Sequence, residues 1–506
     1  MTERSEGIEG TALTGRPSDE GGSPSDTEVD RSGSAGGGSG PRDAFDRRLL
    51  APMILGSILN PVNSSIVSVA LVPIGAAFGA PPSQTAWLVS ALYLATSIGQ
   101  PVVGRLIDLY GPRRLFLAGT TLVGVAGLVG VLAPNLGVLV VARVLLGFGT
   151  CAGYPAAMYL IRSEAERTGR GSPAGVLTVI AVSTQTIAVV GPTLGGLLIA
   201  VGGWRATLAV NIPLAAAGLI MGMWRLPRTP LPERTGQGRP MARLDLSGMV
   251  LFAATLVALL LFLMSPKAGH WYLPALAVAA AAGFAFRESR AAEPFIDLGV
   301  LGGNVPLLLT YLRALLAYVV SYSFLYGYTQ WLEDGRGLSA SQAGLALLPM
   351  FLTGIVVSSL TGRHKEIRGK LLVGAAGQVA ACALLLPLHR GSAVWLLVAV
   401  AIVCGVPQGL NSLALQNSVY YQADPARIGS SAGLLRTFMY LGAMVSSAAS
   451  GAFFSRRADT GGLHHLAWFM LAVGGVFLLI TVLDRSLRRA GTDKDDLSPR
   501  SGVSQT

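Results

Sequence analysis

The chain has 506 residues, of which 51% are hydrophobic and only 13% charged, with a mean hydropathy of +0.55. These values exclude an ordinary string of soluble domains and point to a protein that lives in a bilayer. The net charge of +11 does not argue for a nucleic-acid partner, because the lysines and arginines fall in alternate short polar breaks, a pattern that sets membrane orientation. The three cysteines, Cys151, Cys382 and Cys404, lie inside apolar segments with no paired spacing, so neither a disulfide framework nor a metal site is expected, and nothing calls for a cofactor.

In chain order, residues 1–48 are polar and rich in Gly, Ser and acids. They lack the apolar core of a signal peptide and are expected to form a disordered cytoplasmic tail. A membrane-crossing helix needs about 20 apolar residues, and about fourteen such segments follow. Six lie at 49–79, 84–106, 113–133, 136–161, 173–201 and 204–225, giving a first six-helix bundle over 49–225. Residues 226–303 carry a basic, proline-broken linker and two extra segments, 246–265 and 271–287. Six more, at 304–332, 340–361, 370–388, 392–421, 428–454 and 464–484, give a second bundle over 304–487, and 488–506 reads as another cytoplasmic tail. With this assignment the inner loops hold about two dozen basic residues against about six outside, so both termini are expected in the cytoplasm of a plasma (inner) membrane protein.

Gly104 to Arg114, GRLIDLYGPRR, joins the second and third segments, and Gly362 to Lys370, GRHKEIRGK, returns 258 positions later with an acid four residues after its first glycine. The same offset pairs Ser83 and Gln84 with Ser341 and Gln342, Gly119 with Gly377, Gly147 with Gly405, and GSPAG (Gly171 to Gly175) with GSSAG (Gly429 to Gly433). Chance rarely holds one offset through so many landmarks, so the two bundles are duplicated halves.

GRLIDLYGPRR, Arg143 in ARVLLGFG, GPTLGG at Gly191 to Gly196 and GWRATLAVNIP at Gly203 to Pro213 together resemble the major facilitator superfamily. Within it, they resemble the fourteen-span drug:proton antiporters, over about 49 to 487. The resemblance implies an all-α integral membrane fold of two six-helix bundles plus two extra transmembrane helices, working as an antiporter-like efflux pump. It also implies that Asp108 latches one half to the other when the cytoplasmic side is shut. Two departures stand out. Thr178 and Ile187 occupy positions where the family carries glycines, and in VNSSIVSVALVP, Asn63 stands where the family's membrane-embedded Asp would be and Ser68 where it has Asn. Proton coupling is therefore not carried over with the resemblance.

The gating residues expected are Gly104, Arg105, Asp108, Gly111, Arg113 and Arg114, with Gly362, Arg363, Glu366 and Gly369 as their repeat. A carboxylate there favours the exposed N–H groups at a neighbouring helix's N-terminus. Gly191 and Pro192 should kink their helix, and Gly195 and Gly196 should admit a close backbone, either as a gate seal or as ordinary packing. Arg143, Arg313 and Arg436 fall inside apolar segments, where a charge costs about 2.5 to 3.5 kcal/mol, so each should face a wet cavity. With Asn60, Asn63, Gln100, Tyr154, Gln185, Gln330, Gln408, Asn411 and Tyr440 they are the expected cavity lining.

No Asp or Glu falls well inside any segment. The sequence therefore points to a secondary transporter exporting neutral or anionic amphiphiles by alternating access, a monomer whose partners are a small-molecule substrate, the lipid bilayer and, as a candidate, protons. A voltage- or gradient-driven facilitator of an anionic metabolite or lipid is the alternative, and a non-transporting receptor or scaffold the weakest. No nucleophile elbow, phosphate-binding glycine loop or carboxylate pair supports an enzyme.

Overall fold

The structure is a computed structural model that describes residues 45–80, 82–168, 174–228, 245–264, 268–291, 296, 302–338, 340–362, 364, 366–454 and 458–484. Nearly all of both predicted tails, most of the basic linker, and Arg363 of the second loop motif lie outside the described residues. Among the described residues there is no strand. The first half runs α1 (Leu50–Phe78), α2 (Pro82–Tyr110), α3 (Pro112–Val131), α4 (Leu136–Thr150), α5 (Gly153–Thr168), α6 (Ala174–Ala209) and α7 (Asn211–Arg225). Two helices follow, α8 (Leu246–Met264) and α9 (Tyr272–Glu288). The second half holds α10 (Val305–Ser323), α11 (Ala340–Thr361), α12 (Ile367–Ala383), α13 (Val394–Gln422), α14 (Ile428–Phe453) and α15 (Thr460–Leu483).

Local chemistry sets several of these limits. Gly111, at φ 84°, turns the chain between α2 and α3, where Pro112 opens the next helix with a φ already suited to it. Asn135, Asn304 and Asp459 cap α4, α10 and α15 by accepting the N–H of Val138, Leu307 and Gly462 at 3.0, 3.1 and 2.7 Å. The segment expected at 136–161 is two helices, broken at Cys151 and Ala152, and the expected break near 202 is a kink inside α6 at Gly202 and Gly203. Beyond Ser323, α10 continues as two π-helical stretches, Phe324–Tyr328 and Trp331–Gly335, which carry the rod past its expected end to include Glu333 and Asp334.

Ten stretches among the described residues are long and apolar enough to cross a membrane. Their outward faces are apolar: Leu132, Leu197, Val201, Val250 and Leu360 are exposed. Buried polar groups such as Asn60, Asn63, Gln100 and Asn411 lie inside. That inversion of the soluble pattern is what a hydrocarbon solvent selects.

Within the first half, α1 packs on α6, α3 on α4 and α7, and α2 on α4. Within the second, α11 packs on α13, α12 on α13 and α15, and α10 on α14 and α15. The halves meet along two seams, α2 against α14 and α6 against α11. Shifting α2 by the 258-residue offset gives α11, and shifting α6 gives α14, so each seam is the image of the other. The accessory pair α8 and α9 pack on each other, and α8 lies against both α2 and α14.

Candidate functional site

At the end of the molecule that carries GRLIDLYGPRR, Asp108 leaves the last turn of α2 and meets the start of α14. One carboxylate oxygen accepts the Gly429 N–H at 2.8 Å, and the other accepts the Ser430 N–H at 2.8 Å and the Ser430 hydroxyl. These donors have no partner within their own helix, and the helix dipole adds to the attraction. Close approach depends on glycine: a methyl group on Gly104 would collide with the Gly429 carbonyl, and one on Gly433 with the Gln100 carbonyl. Around this contact Arg105 is buried, Arg113 donates to the Met223 carbonyl at 2.9 Å, and Arg114 is exposed.

The second copy of the motif behaves differently. A methyl on Gly362 would strike Thr178 of α6, so the helices are equally close there. Glu366, however, is exposed at the start of α12 and makes no capping bond, and Gly369 lies beside its carboxylate. Among the described residues the carboxylate latch exists on one seam only.

Above the latch, the first seam continues with the Thr437 hydroxyl donating to the Ser97 carbonyl at 2.9 Å and the Tyr440 hydroxyl to Asn60 Oδ1 at 3.0 Å. The second seam has Gln185 Nε2 donating to Ser358 Oγ at 3.0 Å. At this end the halves also share one apolar core, in which Met53, Phe116, Tyr154, Met158 and Ile180 pack with Tyr311, Tyr318, Leu415, Tyr420 and Leu435. At the other end the cores are separate: Ala70, Ile74, Leu88 and Trp204 in the first half, and Phe324, Tyr328, Trp331 and Leu466 in the second. Among the described residues the halves thus share one apolar core at the motif end and have separate cores at the far end.

The three arginines expected to face a wet cavity sit in different surroundings. Arg313 is enclosed and ion-paired with Asp484 at the end of α15, because a charge between packed helices is cheapest beside an opposite charge. Arg143 is also enclosed. Its Nε donates to the Leu88 carbonyl at 2.9 Å, and its terminal nitrogens reach the Asn63 carbonyl at 3.5 and 3.4 Å, so backbone dipoles take the place of a counter-ion. Arg436 alone is half-buried and has no carboxylate partner among the described residues. Its guanidinium lies 4.1 Å over the Tyr154 ring, and its Nε is buried without a hydrogen-bond partner.

Asn63 does not line an open space either. It exchanges amide hydrogen bonds with Asn211 of α7, at 2.7 and 2.9 Å, and donates to the Leu59 carbonyl at 2.9 Å. Its neighbour Asn60 donates to Thr96 and Thr150 at 3.3 and 3.1 Å, which ties α1 to α2 and α4. Asn411 donates to Gln378 inside the second half at 3.3 Å, Gln408 is half-buried on α13, and Gln330 is exposed on the continuation of α10. Gly191 and Gly195 press α6 onto Ser65, Ile66 and Val69 of α1, within one half rather than across a gate, while Gly196 faces open space. The sequence reading missed Asn211, Thr96, Thr150 and Ser358 as partners. Asn211 lay within GWRATLAVNIP, where an amide in an apolar run was the available signal.

The Major Facilitator Superfamily model matches residues 53–447. The chain is 32% identical over 459 residues to an uncharacterized MFS-type transporter, YwoD, of Bacillus subtilis (strain 168), covering 88% of this chain and 98% of that protein. It is 30% identical over 416 residues to the multidrug resistance protein Stp of Mycobacterium tuberculosis (strain CDC 1551 / Oshkosh), covering 78% and 74%. The fold is similar to that of the human organic anion transporter MFSD10, with a TM-score of 0.60 at 17% identity, covering 87% of this chain and 100% of that one.

Proposed function

The chain belongs to the Major Facilitator Superfamily, and we propose that it is a fourteen-span secondary transporter that exports neutral or anionic amphiphilic small molecules by alternating access. Ten stretches among the described residues are long and apolar enough to cross a membrane, which supports the larger part of this count, and the excess of basic residues in the loops supports a cytoplasmic location for the latched end. The fused core and the Asp108 latch then correspond to a state closed to the cytoplasm. Rocking the halves about the α2–α14 and α6–α11 seams would expose the same chamber to the other side.

The observation that carries the charge preference is Arg436, a half-buried guanidinium with no carboxylate beside it among the described residues. A ligand charge about 6 Å away interacts with it by about 3 kcal/mol at an effective dielectric of about 20. Stacking on a tyrosine returns about 0.5–2 kcal/mol to a cation, so repulsion wins for cations and attraction adds for anions. The drug-resistance relative supports export of amphiphiles.

The coupling question turns on Asn63, which pairs with Asn211 and cannot carry a proton. This favours a second reading, transport driven by membrane voltage or by the substrate gradient, since one charge crossing 100 mV is worth about 2.3 kcal/mol. Uptake of an anionic dye from the medium into inside-out vesicles, given an imposed voltage or an imposed pH gradient, separates the two. Export driven by voltage alone supports the uncoupled reading, and export driven by the pH gradient at zero voltage overturns it.

A further inference from the structure

Tyrosine rings cluster where helices of the two halves face each other. Tyr318, Tyr322 and Tyr326 recur every fourth residue along α10 and its π-helical continuation, with successive ring centroids 5.9 and 5.6 Å apart. Opposite them stand Tyr93 of α2 and Tyr440 of α14, whose rings lie 5.6 Å apart. The Tyr93 and Tyr326 hydroxyls interact from opposite halves. With Tyr154 under Arg436, six of the chain's 13 tyrosines gather here. Tyrosine instead of phenylalanine means that each wall offers both a ring face and a hydroxyl, a costly choice in a packed interior unless something polar and aromatic comes between the walls.

Arg436 is the charged member of this group, and its field acts on the hydroxyls of Tyr318, Tyr322 and Tyr440. Tyr93, Tyr322, Tyr326 and Arg436 are only half-buried, whereas Tyr154, Tyr318 and Tyr440 are closed off behind them. A guanidinium held 4.1 Å over one ring, with its Nε unpaired, keeps donor capacity for a planar acceptor.

We propose that this chamber binds a planar aromatic ring system bearing one acidic group, with the rings stacked between the tyrosines of α2 and α10 and the carboxylate or phenolate on Arg436. The inference rests on reading this interior as the transporter's substrate chamber. An aliphatic anion would satisfy the arginine and leave the ring faces unused. A cationic aromatic would use the rings and meet the arginine's repulsion.

The test is calorimetric binding to the full chain purified in detergent, with anthracenecarboxylate, its saturated perhydro counterpart and anthracenemethanol. The expected order has anthracenecarboxylate tighter than the saturated acid by about tenfold, from two stacked faces, and tighter than the alcohol by about ten- to a hundredfold, from the charge-assisted bond. Tyr322→Leu with Tyr326→Leu should erase the first difference and leave the saturated acid's affinity unchanged, while the double Phe replacement keeps it. Arg436→Gln should erase the second. Equal binding of aromatic and saturated acids, or aromatic affinity unchanged in the double Leu variant, would overturn the proposal. Because binding is read without transport, anthracenecarboxylate that binds as expected but never enters inside-out vesicles would overturn the export reading and leave this one standing.

Discussion

Replacing Asp108 by Asn should open the latched end. The side chain keeps one acceptor oxygen and its shape, but loses the negative charge and one of the two oxygens that hold the Gly429 and Ser430 N–H groups at 2.8 Å. One charge-assisted hydrogen bond is worth about 1.5–3 kcal/mol, and the charge at a helix N-terminus adds about 0.3–1 kcal/mol. A loss of about 3 kcal/mol moves the balance between closed and open states by about 150-fold. Spin labels on Arg114, exposed at the start of α3, and on Ala426, exposed just before α14, would report the change, and the three native cysteines are buried. In the wild type the distance distribution should be dominated by a short, closed population, and in Asp108→Asn by a longer one. Identical distributions in the two proteins would refute the latch.

Glu366→Gln in the same spin-labelled protein should leave the distribution unchanged, because Glu366 caps nothing in the structure; opening equal to that of Asp108→Asn would contradict the one-sided latch. Asp484→Leu alone leaves the buried Arg313 guanidinium without its carboxylate and should cost about 3–5 kcal/mol, whereas adding Arg313→Leu should recover most of it, read as the midpoint of thermal unfolding in detergent. Asp245, ahead of α8, is a pH-dependent contributor. Burial raises its pKa, but the Gly248 N–H, the Ser247 hydroxyl and Arg287 more than offset this and hold it below the usual range. Its contribution is therefore full above the ordinary aspartate pKa of about 4 and lost as pH falls through the lowered value. Asp245→Asn should unfold at a lower temperature than the wild type at neutral pH, and that gap should close in acid.

Much of the architecture could be read from local sequence because a bilayer imposes it. Apolar runs of fixed length gave the helical segments, and the 258-residue offset gave the two halves. Asp108 was legible too, since an acid closing a helix suits the N–H groups of a neighbour, and its repeat suggested an interface. What the sequence could not supply was which helix faces which. Arg313 and Asp484 are 171 positions apart and Asn63 and Asn211 are 148 apart, so nothing short of packing announces that they pair. The repeat misled at Glu366, because equal spacing does not guarantee an equal partner. Gly191 and Gly195 fit a gate as well as a bundle interior until the structure set them against α1.

In the proposed transporter a guanidinium, and not a carboxylate, governs the chamber between the halves. Accumulation of two equally hydrophobic dyes in inside-out vesicles, one anionic and one cationic, tests it in the wild type and in Arg436→Glu. The anionic dye should be transported preferentially by the wild type, and the charge-reversed variant should lose that dye and take up the cationic one. Rapid cation transport by the wild type, undiminished in the variant, would contradict the account.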